Sequence, residues 1–264
     1  MIGAIAGDII GSVYEQDPIK TKDFALFHPQ CRFTDDTVLT IGIAKALLED
    51  RNYLKALWEI GGKYPHAGYG GSFIHWLGSP APKPYSSWGN GSAMRVSPVG
   101  FAFDTVDAVL QEAARSAEIS HNHPEGVKGA QATAVSVYLA RSTRDKTLVR
   151  REVVDRFGYD LDRTVDDIRP SYEFDISCQG TVPEAIIAFL DSNSYEDAVR
   201  NAISLGGDSD TLACITGGIA EAYYGPVASP IRNKVQECLT DDLWQITEKF
   251  CRRYGLQKAN QRGN

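Results

Sequence analysis

Two short stretches of the sequence concentrate oxygen-bearing side chains of the kind that bind metal ions. One reads TDDT at positions 34–37, and the other reads GGDSDT at positions 206–211. Each is followed by apolar residues at helical spacing, which predicts that each stretch begins a helix. One acidic or hydroxyl residue is enough to cap a helix, and both stretches contain more. Because hard cations prefer oxygen ligands, this surplus indicates a cation site.

The two stretches could form one site if the fold brings both helix starts together. Their four carboxylates carry too much negative charge to meet without compensating cations. These carboxylates belong to Asp35, Asp36, Asp208 and Asp210. The alternative is that each stretch only caps its own helix and faces solvent.

Composition limits the classes of protein to which the chain can belong. Its 264 residues are 43% hydrophobic and 23% charged, which is ordinary for a globular protein with a sizeable core. The net charge of -7 gives no support for nucleic-acid binding, and no segment is long and apolar enough for a membrane span. The N-terminus lacks the basic region of a signal peptide. Five cysteines without a metal-binding spacing predict reduced thiols and a cytoplasmic location.

Helical patterns dominate the chain, and clean strand-like alternation is absent, which predicts one all-α domain over residues 1–264. Near the N-terminus, Gly3, Gly7 and Gly11 recur at helical spacing, so this helix is expected to present a smooth face for close packing. Glu15 follows that helix and either lies in solvent or faces the cation site. Residues 37–60 predict two helices, with a break near positions 50–52.

Further helix boundaries follow from capping and proline signals. We expect a helix capped by Asp104 and ending near Ala117, a second ending near Ala140, and a third opening at Thr181 or Val182 with Pro183 in its first turn. Ser194 is predicted to cap a helix that ends at positions 205–206. Residues 141–178 have no assignable pattern. The tail from position 230 predicts one amphipathic helix and a polar end that frays.

Residues 61–100 are rich in glycine and proline and predict a long irregular region. Loops of this length within a compact domain are usually functional or disordered. The aromatic residues along it argue against disorder, so we interpret it as an ordered binding loop. These aromatic residues are Tyr69, Phe73, Trp76, Tyr85 and Trp88.

Taken together and in order, five motifs resemble those of the ADP-ribosylglycohydrolase family, and the resemblance covers nearly the whole chain. The motifs lie at 3–15, 33–37, 87–95, 120–126 and 206–218. The resemblance implies a compact helical bundle and two divalent metal ions, Mg or Mn, about 3.5–4 Å apart. The metal ligands that it implies are Thr34, Asp35, Asp36, Asp208, Asp210 and Thr211.

The resemblance also implies roles at the ligand. Glu15 corresponds to a family glutamate that binds metal or ligand and could gate the site, and Glu15 or Asp36 would be the catalytic base. Trp88 could stack on the adenine or pack in the core. His121 could donate to a phosphate, whereas His123 is expected to cap a helix. The implied ligand-binding set is Glu15, Tyr69, Ser87, Trp88, Gly89, Asn90, Gly91, Met94 and His121, with Met94 and Arg95 also bracing the loop.

The activity that the resemblance implies is hydrolysis of the glycosidic bond at the anomeric carbon of an ADP-ribosyl group. The substrate would be an ADP-ribosylated protein or small molecule, and arginine, serine, a nucleic-acid end or a metabolite all remain open as the group that carries it. Two alternatives are a catalytically silent ADP-ribose-binding or structural relative and a metal-dependent phosphatase. The sequence predicts no oligomeric state.

Overall fold

The computed structural model describes residues 1–256. Apart from one isolated bridge, the regular secondary structure of these residues is entirely helical. No strand occurs within these residues, and a single antiparallel bridge joins Gly89 to Ser177. The prediction of an all-α fold is therefore confirmed. The helices are α1 (Ile2–Gly11), α2 (Asp35–Leu48), α3 (Tyr53–Lys63), α4 (Gly71–Leu77), α5 (Gly91–Met94), α6 (Ser97–Ala102), α7 (Val106–Glu118), α8 (Pro124–Thr143), α9 (Lys146–Phe157), α10 (Val165–Ile168), α11 (Cys178–Leu190), α12 (Tyr195–Ser204), α13 (Ser209–Tyr224), α14 (Ser229–Cys238) and α15 (Asp241–Arg253).

Helix α13 lies at the centre of the fold. Every residue from Ser209 to Ala222 is buried, and the helix packs against α1, α8, α11 and α12. The second acidic stretch lies at the first turn of this helix. The central helix thus places those acids at a buried helix start.

The glycine face of α1 packs directly on the backbone of α13. A methyl carbon built on Gly3 would lie 2.5 Å from the carbonyl oxygen of Gly217, and one built on Gly11 would lie 2.5 Å from that of Ser209. A methyl group on Gly7 would overlap the Ala213 carbonyl outright. The expectation of close packing is confirmed, because only glycine leaves room for the two backbones to approach this far.

Several predicted helix boundaries agree with the structure. The break between α2 and α3 falls at residues 49–52, and Ser194 caps α12 by accepting from the backbone N–H of Asp197 at 3.1 Å. Gly206, just beyond α12, has φ of +67°, a conformation that glycine adopts without strain. His123 caps α8, as expected, since its Nδ1 accepts from the N–H of Glu125.

Other boundaries were predicted wrongly. Thr105, rather than Asp104, caps α7, because its hydroxyl accepts from the N–H of Ala108 at 3.2 Å. Helix α11 begins at Cys178 under a Ser177 cap, so Pro183 lies inside the helix instead of in its first turn. The 61–100 region is ordered, but it contains α4, α5 and α6 and is not irregular throughout.

The two segments near the C-terminus also contain more helix than the sequence pattern indicated. Residues 141–178 include α9 and α10, and the tail forms α14 and α15 where one helix was expected. The polar end that was expected to fray lies outside the described residues. No helix within residues 1–256 combines the length and apolar character needed to cross a bilayer.

We expect Gly7→Ala to lower the free energy of unfolding by about 1–3 kcal/mol or more, because the added methyl group forces α1 away from α13. Chemical denaturation followed by circular dichroism measures the change. Gly62→Ala is the matched control: a methyl group at this exposed position of α3 meets nothing within 4 Å. The control should stabilise the protein by about 0.4–1 kcal/mol. Equal effects of the two substitutions would contradict the close-packing explanation.

Candidate metal centre and ligand cleft

The fold brings the two acidic stretches together. The first begins α2 and the second begins α13, and the hydroxyl of Thr211 donates to Oδ2 of Asp36 at 3.3 Å. Carboxylate oxygens of Glu15, Asp208 and Asp210 lie within 4.8 Å of one another. The alternative in which each stretch caps its own helix in solvent is therefore excluded.

Asp8 is an acidic residue of this centre that sequence reasoning missed. It lies in α1 with no exposed surface, and its carboxylate oxygen, together with those of Asp36 and Asp210, forms a second group within 4.8 Å. Asp8 accepts from the backbone N–H and hydroxyl of Thr34 at 2.9 and 2.6 Å, and from the N–H of Thr37 at 3.2 Å. The signal available in the sequence was a single aspartate within an otherwise apolar helix.

Burial raises the pKa of every carboxyl group in the cluster, and repulsion between the acids adds to it at Glu15, Asp35, Asp36 and Asp210. Desolvation is the largest cause at Asp35, where the negative charges of Asp8, Asp208 and Glu15 add to it and raise the pKa to about 8. The pKa values of Asp36 and Asp210 are raised well above the usual range for the same two reasons. Glu15 is half-buried, and its pKa is raised by desolvation first and by Asp208 second.

The donor set fits divalent metal ions. Within residues 1–256, no lysine or arginine forms an ion pair with Asp8, Asp35, Asp36, Asp208 or Asp210. Oδ1 of Asp36 is buried without a hydrogen-bond partner among these residues. Buried carboxylates require a charged partner, and an all-oxygen set suits Mg or Mn.

A cleft of about 390 Å³ opens beside the acids. The acids line this cleft together with the loop that precedes α5 and His121. Two apolar side chains, Phe174 and Ile176, lie on the cleft wall and are 56% and 53% exposed. The lining residues used below are Glu15, Asp35, Asp36, Asp208, Asp210, Thr211, Ser87, Asn90, Gly91, Met94, Arg95, His121, Phe174 and Ile176.

Four of the sequence-predicted residues are not part of the cleft wall. Thr34 lies beneath it and donates to Asp8, and Gly89 lies behind the wall, where its carbonyl oxygen accepts from Cys178. Tyr69 is buried, and its ring lies 5.4 Å from that of Phe73. Trp88 is neither in the core nor on the cleft wall, and its side chain is 47% exposed.

Asn90 connects the loop that precedes α5 to the acids. Its side-chain nitrogen donates to Oδ2 of Asp208 at 2.7 Å and to the hydroxyl of Thr181 at 3.1 Å. This loop, residues 87–91, is called the glycine loop below, and it is therefore fixed relative to the acids. Phe174 and Ile176 could not have been found from the sequence, because they lie in the segment whose pattern could not be assigned.

Comparison with known proteins gives the family. The profile of the ADP-ribosylglycohydrolase family matches residues 1–260. The chain belongs to the ADP-ribosylglycohydrolase family. This membership confirms the resemblance drawn from the motifs and the prediction that the protein is an enzyme of the ADP-ribosylglycohydrolase class.

Individual ADP-ribosylglycohydrolase relatives have low sequence identity to this chain, but the similarity extends over most of its length. ADP-ribosylhydrolase ARH3 of Xenopus tropicalis is 26% identical over 334 residues, which cover 96% of this chain and 95% of the relative. ADP-ribosylarginine hydrolase Tri1 of Pseudomonas putida (strain GB-1) is 24% identical and covers 87% of this chain and 71% of the relative. A solved structure of an ADP-ribosylglycohydrolase-related protein complex shares the fold, with a TM-score of 0.70 at 23% identity and 97% coverage of both chains.

The carboxylate cluster predicts a specific pH dependence of stability. Because the folded-state pKa of Asp35 is raised to about 8, the metal-free protein should gain stability as the pH falls through that value, and the charge repulsion should be fully present above it. Divalent ions bind the deprotonated acids, so their stabilising effect should grow as the pH rises.

Melting temperatures between about pH 5 and about pH 8, with Mn²⁺ or with a chelator at equal ionic strength, test this expectation. The difference in melting temperature between Mn²⁺ and chelator should increase with pH. Asp36→Asn should stabilise the metal-free protein and make this difference smaller. A difference that does not change with pH would contradict a site built from these acids.

Proposed function

We propose that the protein is a metal-dependent hydrolase that cleaves the glycosidic bond at the anomeric carbon of an ADP-ribosyl group and releases ADP-ribose. The observation that carries the proposal is the convergence of both acidic stretches on one cleft that the glycine loop also lines. The acids fit the ribose end of the substrate, and the loop fits the diphosphate. The family relationship agrees with this arrangement.

Two divalent ions, Mg or Mn, would be held by Asp35, Asp36, Asp208, Asp210 and Thr211, with Glu15 at the open side. When bound, such ions orient ribose hydroxyls and lower the pKa of a bound water. Thr34 would act through Asp8, to which it donates. Asp8 in turn accepts from the N–H groups of Thr34 and Thr37 and so fixes the start of α2.

The part of the cleft lined by the glycine loop and Arg95 suits a substrate in which an anionic group is joined to an aromatic base. Arg95 is fully buried with no carboxylate partner within residues 1–256, so its positive charge is available to a diphosphate. The adenine would lie against Phe174 and Ile176, which present apolar surface to the cleft. Trp88 would contact the base only if its exposed side chain turned inward.

The proton acceptor would be Asp36 or Glu15. Asp36 lines the cleft, so its carboxylate could accept a proton from a water bound there. Glu15 borders the cleft in a segment after α1, and burial raises its pKa above the usual range for a glutamate, which makes it a stronger base. The bond to the leaving group would break through an oxocarbenium-like transition state.

Asp210→Asn should reduce release of ADP-ribose by about 100-fold or more. The substitution removes one of the carboxylates that would hold the metal ions, and weaker metal binding would leave the remaining acids without a compensating charge. Product formation is measured by chromatography on substrates with arginine, serine, nucleic-acid-end and metabolite linkages, each in Mg²⁺ and in Mn²⁺. Asp241→Asn, at an exposed position of α15, is the control and should retain full activity. Equal activity of wild type and Asp210→Asn would refute the proposed mechanism.

The same assay separates the two alternatives. A silent binding protein would bind ADP-ribose in a titration and release none from any substrate. A phosphatase would release inorganic phosphate and no ADP-ribose. The linkage with the highest kcat/KM identifies the group that carries the ADP-ribose.

A further inference from the structure

Arg95 is a fully buried arginine directly after α5, and its hydrogen bonds are unusual for a buried charge. Its Nη2 donates to the carbonyl oxygen of Ser116 at 3.0 Å and to the hydroxyl of Ser120 at 2.9 Å. Its Nε and Nη1 have no partner within residues 1–256. Buried guanidinium groups usually pair with a carboxylate. Arg95 instead donates to two neutral oxygens, so its hydrogen bond to Ser120 does not serve to neutralise its charge.

Ser120 connects Arg95 to His121. The Ser120 hydroxyl oxygen lies 2.8 Å from Nδ1 of His121 and is itself completely buried. An arginine can only donate, so this oxygen must accept from Arg95. Its own hydrogen then points to Nδ1, which must accept. If Nδ1 carried the proton instead, both neighbours would donate to Ser120, and its hydroxyl hydrogen would lack an acceptor in a dry site.

We propose that Arg95 and Ser120 are positioning residues that hold His121 in the neutral tautomer with its proton on Nε2. The Nε2 side of the ring faces the glycine loop, since a methyl carbon built on Gly91 would lie 3.0 Å from Nε2. His121 and Gly91 both line the cleft. Nε2–H is thus a fixed hydrogen-bond donor toward an anionic ligand in that loop. The identity of this ligand, a diphosphate, rests on the proposed function.

The surroundings of the ring disfavour its charged form. Burial holds the pKa of His121 well below its usual range, and the positive charge of Arg95 lowers it further. Tyr85 also packs near the ring, with its ring centroid 5.8 Å away. In the opposite tautomer, Nε2 would present a lone pair to a phosphate oxygen. The hydrogen-bond chain therefore decides whether His121 attracts or repels the ligand.

Nitrogen-15 NMR of the imidazole rings tests the tautomer directly. His121→Gln removes one of the five histidine signals and so assigns it. We expect wild-type His121 to show a protonated Nε2 and an accepting Nδ1 at neutral pH. Ser120→Ala should give a mixture of tautomers, and Ser120→Thr, which keeps the hydroxyl, should restore the wild-type pattern. His123, which lies next to the network but outside it, should not change.

Binding of ADP-ribose in Mn²⁺ provides the second measurement. Ser120→Ala should weaken binding about tenfold, the effect of losing roughly one hydrogen bond to a charged group. His121→Gln can place an amide donor near the Nε2 position and should retain most of the affinity, whereas His121→Asn should lose about tenfold. Affinity for Mn²⁺ alone should stay constant in all variants, because a merely damaged fold would alter it as well.

A wild-type spectrum with the proton on Nδ1, or with a charged ring, would overturn the proposal, and so would an unchanged tautomer in Ser120→Ala. If Ser120→Ala fails to fold, the wild-type spectrum alone decides. A protonated Nε2 in a protein that does not bind ADP-ribose would support the positioning role and count against the proposed function. The two proposals therefore fail in distinguishable ways.

Discussion

Close backbone contact between α1 and α13 is the constraint on which the rest of the structure depends. Gly3, Gly7 and Gly11 leave no side chain between the two helices. As a result, Asp8 of α1 reaches the carboxylate of Asp210 in the first turn of α13. Asp8 also accepts from the start of α2, so one buried side chain joins the helices that carry the acidic stretches. The acidic cluster is a consequence of helix packing.

The ionised carboxylates of the acidic centre destabilise the folded protein. Desolvation and mutual repulsion both raise the pKa values of its carboxyl groups, which means that the ionised state is disfavoured in the folded protein. Divalent ions would remove this penalty, so affinity for metal and stability are coupled. The cleft also has a positively charged side chain on its wall. Arg95 lines it and is buried without a carboxylate partner within residues 1–256, so the cleft carries charges of both signs.

Much of the architecture could be predicted because its causes are local. Capping by Ser194 and the break before α3 depend on residues within one turn of each boundary. Errors arose where a competing cap or an irregular pattern outweighed the signal used for the prediction. Pro183 lies inside α11 because Ser177 starts that helix earlier. The 141–178 segment could not be assigned, although it supplies Phe174 and Ile176 to the cleft, because exposed apolar residues on a wall follow no helical period.

The sequence alone determined that two acidic stretches begin two helices, that α1 presents a glycine face, and that the motifs resemble one family. Each of these follows from residue types at short spacing. Only the tertiary structure decided that the two helix starts meet, that Asp8 joins them, and that Trp88 lies outside the cleft wall. The hydrogen-bond chain through Ser120 likewise exists only in three dimensions. Residues distant in the sequence come into contact through packing, and no local pattern records which of their atoms will face each other.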